Sequence, residues 1–173
     1  MRSRLGIWVI FLGFWNGVSM AQNLVKPTER VDIRGKIQKS ISISGDSFKM
    51  YSQIDIGDVV ITNHMGEPRG TARQLKGVRV IDVLKDVVLS EPNPKLWSTV
   101  YFVFKASDGY QVVYSWNELF NSPNGADVYF ITERDGLPWN QMPERILVLT
   151  PKDIQTGRRH IKGLQTIDVH QAP

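Results

Sequence analysis

Arg145 opens an apolar run late in the chain, and Arg158, Arg159, His160 and Lys162 gather just before the last one. Arginine forks hold carboxylate or phosphate through paired hydrogen bonds, and lysine adds a compact charge. Backbone N–H groups of glycine-containing loops supply further donors. Anion binding is the chemistry this cluster suits, with Arg145, Arg159 and Lys162 expected to converge and His160 nearby. The alternative is a solvated basic face, because charge runs mostly stay hydrated.

Other chemistries find less support. The histidines, His64, His160 and His170, form no pair with the spacing of a zinc site. Glu133 and Asp135 are near in sequence but flank the Asp135-Gly136 turn, which reads as surface. The chain has no cysteine. That removes thiolate catalysis, iron–sulfur clusters and thiolate ligation of a metal. There is no G-x-G-x-x-G, no P-loop and no G-x-S-x-G motif. The net charge of +4 is spread along the chain without a basic stripe, so nucleic acid is not an expected partner.

The elements that must position these residues are mostly strands. Val31, Ile33, Ile41 and Ile43 alternate with polar residues, as half-buried strands do. Phe48–Ser52 reads as a further short strand, and Ile54–Ile61 as another with a bulge at Gly57-Asp58. His64–Leu75 reads as a polar loop. Val80, Val83, Leu84, Val87 and Val88 then fall at helical spacing, predicting one main amphipathic helix. Val100–Phe104 and Tyr110–Tyr114 flank Ser107-Asp108-Gly109, the pattern of a tight hairpin. Ser115 and Glu118 have capping-box spacing for a short helix through Phe120. Strands are expected over Asp127–Thr132, Ile146–Leu149 and Ile161–Val169. Many strands, little helix and no βαβ alternation give an α+β, mainly β single domain.

The first residues have a different character. Arg2 and Arg4 precede an apolar Leu5–Trp15, and Ser19-Met20-Ala21 offers small residues where a signal peptidase reads. The apolar run is shorter than the ~20 residues a bilayer span needs. A Sec-type signal over residues 1–21 is expected, then a polar lead-in over 22–30 and the domain over 31–170. The expected location is the periplasm or the exterior, with no membrane anchor after cleavage.

Four stretches carry a resemblance. They are Ala106–Leu119 (ASDGYQVVYSWNEL), Asp127–Pro138 (DVYFITERDGLP), Glu144–Pro151 (ERILVLTP) and Arg159–Val169 (RHIKGLQTIDV). In order and spacing they resemble the sulfite oxidase type molybdopterin-binding domain, in particular its short, exported, stand-alone members. Lys76–Leu84 is similar to the segment leading into that family's first helix. The resemblance implies a pterin and its phosphate held by Arg145, Arg159, His160 and Lys162. It also implies a molybdenum-binding cysteine near position 63, where this chain has Asn63. Gly163 departs from the tryptophan that catalytic members often carry there. Asparagine does not replace a thiolate toward a soft metal. No cofactor is therefore expected, although molybdopterin is the one the resemblance names. Export points the same way. Proteins loaded with this cofactor leave the cytosol folded through a consecutive arginine pair, and here the arginines are Arg2 and Arg4.

Three functions remain at this point. The first is a non-catalytic binding module for an anionic small molecule or an envelope partner protein. The second is a molybdopterin-dependent oxidoreductase of the sulfite oxidase type. The third is a structural or signalling protein of the envelope. The absence of a cysteine ligand favours the first. N-terminal sequencing of exported material should begin at Gln22. Exported protein that keeps Met1 would overturn the signal-peptide reading.

Overall fold

The computed structural model describes residues 24–173; the expected signal peptide and its cleavage point lie outside the described residues. The chain runs through β1 (Arg30–Gly35), β2 (Ile41–Ser44), β3 (Ile54–Thr62), β4 (Pro68–Arg79) and α1 (Val80–Leu84). It continues through β5 (Val100–Ala106), β6 (Gln111–Ser115), α2 (Trp116–Phe120), β7 (Tyr129–Arg134) and β8 (Leu137–Pro138). It closes with β9 (Leu147–Leu149), β10 (Ile161–Lys162) and β11 (Leu164–Gln171). Two sheets result. One has the order β2-β1-β11-β5-β6, with β1 parallel to β11 and every other pairing antiparallel. The other has the order β10-β9-β7-β4-β3, with β8 beside β7.

Alternation explains the sheets. Val31 and Ile33 of β1, Phe102 and Phe104 of β5, and Ile167 and Val169 of β11 all lose contact with water. They join Val78, Phe130 and Val148 of the second sheet in one continuous apolar core. Between the sheets the chain crosses at Gly163, which has φ +62° and would press a side chain onto the Lys26 carbonyl. A large side chain is excluded there, so glycine at this position is a geometric need. The mainly β single domain is the fold expected from the pattern.

Three expected elements differ. The polar stretch after His64 is not a loop: from Pro68 it pairs with β3 as the strand β4. Its pattern is hidden because Gln74 has φ +51° and the ladder shifts register at Gly57 and Leu75. The inward residues Ala72 and Leu75 therefore stand three apart instead of two. Phe48 lies in a 3-10 helix, Gly45–Met50, and not in a strand. The tight turn drives its ring into the core, stacked on Phe130 at 4.7 Å. Burying such a ring stabilises by about 1.5–3 kcal/mol, which decides against an extended exposed segment.

The third difference is the helix. It ends at Leu84, and α2 is equally short, so the domain has no main helix. Its valines favour extended backbone, and its first turn has no side-chain cap. Beyond Lys85 the chain finds better partners. Val88 accepts a bond from the Gln38 N–H at 2.9 Å, Leu89 bridges to Ile37, and the Ser90 N–H reaches the Lys36 carbonyl. Among the described residues no helix is long and apolar enough to cross a membrane.

The hairpin of β5 and β6 follows the expectation. The Gly109 N–H meets the Ala106 carbonyl at 3.1 Å, Asp108 accepts from the Tyr110 N–H at 2.9 Å, and Gly109 has φ +90°. A Cβ at 109 would touch nothing. Substitution there changes only the backbone preference. Gly109→Val should lower stability by about 1–3 kcal/mol in urea unfolding. Gly109→Asn should cost less, because asparagine tolerates positive φ. Equal stability of all three proteins would contradict this account of the turn.

A candidate anion-binding cleft

The loop between β9 and β10 carries most of the expected basic residues, and one contact seats it. The Thr156 hydroxyl accepts from the Thr62 N–H at 3.0 Å and donates to the Val60 carbonyl at 2.7 Å. A Cβ on Gly157 would overlap the Thr62 carbonyl, so only glycine permits this approach. The 3-10 turn Thr156–Arg159 is thereby fixed against the end of β3. Tyr110 adds a second tie, its hydroxyl donating to the Arg158 carbonyl at 2.5 Å.

Between this turn and the exposed face of β6 lies a cleft of about 720 Å³, lined by Val113, Asp127, Lys152, Gln155, Arg158 and Arg159 among others. Tyr114 lies behind two of the lining residues, Thr150 and Arg159. The phenol is fully buried and bonded to the Thr150 hydroxyl at 3.0 Å, and burial holds its pKa well above the usual range. Arg159 lies 4.9 Å from the Tyr114 ring centre, within cation–π reach. Its guanidinium is gripped by both oxygens of Asp153 and by Glu118. The hydrogen bonds to Asp153 raise its pKa further, so it stays charged.

Glu118 shows how the local sequence serves the site. The Ser115 hydroxyl caps α2 by accepting from the Glu118 N–H at 3.0 Å. The Glu118 carboxylate turns to Arg159, so half of the expected capping box is replaced by an ion pair. Lys152 pairs with Asp127 at 2.7 Å. Arg158 is different. Its Nε donates to Gln155 Oε1 at 2.7 Å and its Nη2 to the His64 carbonyl at 3.0 Å. Among the described residues it has no carboxylate partner within ion-pair distance.

The other expected residues go elsewhere. Lys162 lies 3.4 Å from Glu144, which also holds Arg134 at 2.9 Å. His160 sits beside this group. Burial, then the charges of Lys162 and Arg134, push its imidazole down to about 4, against a smaller opposing pull from Glu144. Arg145 adopts φ +60°, bridges to Thr28 and directs its guanidinium to Glu29. The expected convergence of Arg145, Arg159 and Lys162 is thus not what the side chains form. Each finds its own carboxylate, and only Arg159 lies in the cleft. Asn63 closes the β3–β4 turn. Its Oδ1 accepts from the Met65 and Glu67 N–H groups at 2.9 and 3.0 Å, and its Nδ2 donates to Glu67 at 2.8 Å. Arg158 belongs to the basic cluster of the sequence but not to the residues expected to converge, whereas Lys152, Gln155 and the Tyr114–Thr150 pair are ordinary loop and strand residues until the chain folds.

No protein-family model matches the sequence, and no curated protein matches it. The fold does have a likeness among solved structures. It is similar to the sulfane dehydrogenase SoxCD from Paracoccus pantotrophus, with a TM-score of 0.61 at 10% identity. The match covers 83% of this chain and 38% of that one, so this chain spans well under half of its length. This is a distant fold relationship, in line with the sulfite oxidase type fold expected above.

The molybdenum centre that the sequence resemblance implies does not fit these residues. The amide of Asn63 is engaged in its own turn, and the chain holds no thiolate to offer in its place.

His160 gives the fold a measurable pH dependence. Its folded pKa lies below the unfolded value of about 6.5, so the unfolded chain takes up the proton first. The stability this provides is full above about pH 6.5 and is lost as pH falls toward 4. His160→Asn should therefore show a smaller loss of melting temperature between pH 7 and pH 5 than the native protein. An identical loss in both would show that His160 does not titrate as described.

Proposed function

We propose that this protein is an exported, non-catalytic binding module that holds a small anionic molecule in the cleft beside β6. Arg158 carries the reading. In the cleft the charge of Arg159 is outweighed by Asp153 and Glu118, and that of Lys152 is matched by Asp127. Arg158 is exposed on the cleft wall with its remaining N–H groups uncommitted to any carboxylate. Gln155 and the His64 carbonyl hold the guanidinium by two of its donors, so little side-chain freedom is lost on binding. A planar fork preorganised in this way suits a carboxylate or phosphate oxygen pair.

Export rests on the Arg2/Arg4 start and the Ser19-Met20-Ala21 site. The oxidoreductase reading draws on the likeness to a dehydrogenase, but it needs a molybdenum ligand that Asn63 does not supply.

The test is thermal melting with inorganic phosphate, a phosphate monoester and a dicarboxylate. A ligand at about 100 times its Kd adds roughly 2.7 kcal/mol to stability, a rise that melting resolves easily. Arg158→Ala should abolish the rise and leave the unliganded protein within about 0.5 kcal/mol, as exposed positions usually do. No stabilisation by any anion, or a rise that survives Arg158→Ala, would end the proposal. Stoichiometric molybdenum in protein from its native compartment would restore the oxidoreductase.

A further inference from the structure

A second concavity of about 490 Å³ shares no lining residue with the anion cleft. It exists because α1 stops early. The chain turns away after Lys85 to pair with Lys36–Gln38, and this leaves Val87 and Val88 beside α2 instead of on a helix facing the core. Val88 is 57% exposed, which is unusual for a valine that helical spacing assigns to the interior.

The facing wall is aromatic. Trp97 and Trp116 lie 5.4 Å apart at 54°, and Trp116 stacks on Phe120 at 5.6 Å and 28°. All three are only partly buried, over a base that includes the fully buried Leu84 and Phe102. Trp97 is held in place by its indole N–H, which donates to the Glu91 carbonyl at 3.0 Å. Aromatic groups that only complete a core would be covered by it; here they form one side of an open hollow. Its volume lies within the ~300–1,000 Å³ of small-molecule sites, and an apolar lining with few polar groups is typical of them.

The polar groups narrow the ligand. Glu91 lines the hollow as a charged carboxylate, but its two oxygens are turned to the Asn93 N–H at 2.9 Å and Gln171 Nε2 at 3.1 Å. Lys85 lines it as well, and among the described residues its ammonium has no carboxylate within ion-pair distance. We infer that this hollow between the end of α1 and α2 binds a planar aromatic acid, its ring against Trp97, Trp116 and Phe120 and its anion at Lys85. Ring stacking and desolvation supply affinity, and Lys85, the one cation among the lining residues and beyond ion-pair distance of Glu91, distinguishes the acid from its neutral counterpart.

Titration with naphthalene-2-carboxylate, and with naphthalene-2-methanol as the uncharged control, tests this. In heteronuclear NMR the indole N–H resonances of Trp97 and Trp116 should shift saturably. Lys85→Ala should weaken the acid about five- to tenfold and leave the alcohol nearly unchanged, as loss of one partly exposed charge contact does. Val88→Glu, at an exposed position, should block both ligands without unfolding the chain. Arg158→Ala should have no effect, which separates this hollow from the anion cleft. Absence of a saturable shift at either indole, or equal weakening of acid and alcohol by Lys85→Ala, would overturn the inference.

Discussion

The Thr62 carbonyl occupies the space that a side chain at residue 157 would need. Almost everything at the candidate site depends on that approach. It lets the Thr156 hydroxyl serve two backbone groups of β3, an N–H and a carbonyl that an edge strand would otherwise leave to water. With Thr156 and Gly157 seated, Arg158 and Arg159 have no freedom to choose sides. One meets the His64 carbonyl, and the other passes over Tyr114 to Asp153 and Glu118. A loop held at one end by β9 and at the other by β10 becomes a wall of the cleft instead of a flexible connection.

Burial decides how the basic residues pair. Arg134 and Arg159 keep only 16% and 21% of their side-chain surface, and each is met by a carboxylate at least as buried or nearly so. A cation taken from water without a counter-ion costs several kcal/mol, so partners must be close at hand. Asp168 in β11 follows the same rule with the roles reversed, held by Arg34 at 2.7 Å and Lys105 at 2.6 Å. Clustering of like charges in sequence therefore dissolves in the fold. Arg158 escapes the rule because it remains exposed, and an exposed guanidinium needs no internal partner.

Period-two patterning made most of the strands legible, because it reports burial of one face and little else. The Asp108-Gly109 turn was legible for a comparable reason: a local backbone need leaves a local residue signature. Where a register shift intervenes, as at Gln74 in β4, the period is broken and a strand reads as a loop. The helix is shorter than its pattern suggests because the spacing of Val80 to Val88 measures apolar order alone. It does not weigh the hydrogen bonds that Lys36 and Gln38 offer to the same segment. The site was legible in residue type but not in membership. Which of Arg145, Arg158, Arg159 and Lys162 share a cleft depends on carboxylates such as Glu29, Glu118 and Glu144, far apart in sequence and unremarkable there.

Asn63, where the sequence resemblance implies a metal-binding cysteine, is committed to a structural task instead. Its carbonyl oxygen accepts two backbone N–H groups and its amide nitrogen donates to Glu67, so one side chain adds three bonds to the backbone pair that closes the β3–β4 turn. A cysteine sulfur is a weak acceptor and as a thiolate has no donor. It could not close the turn in this way. A thiolate directed at a metal would moreover leave the Met65 and Glu67 N–H groups without the partner they have here. The tight turn and the metal ligand are alternative uses of one position, each needing the side chain in a different direction. This chain uses residue 63 for the turn, and the same turn supplies the His64 carbonyl that orients Arg158. The residue that closes this turn thus helps to build the cleft proposed for the anion.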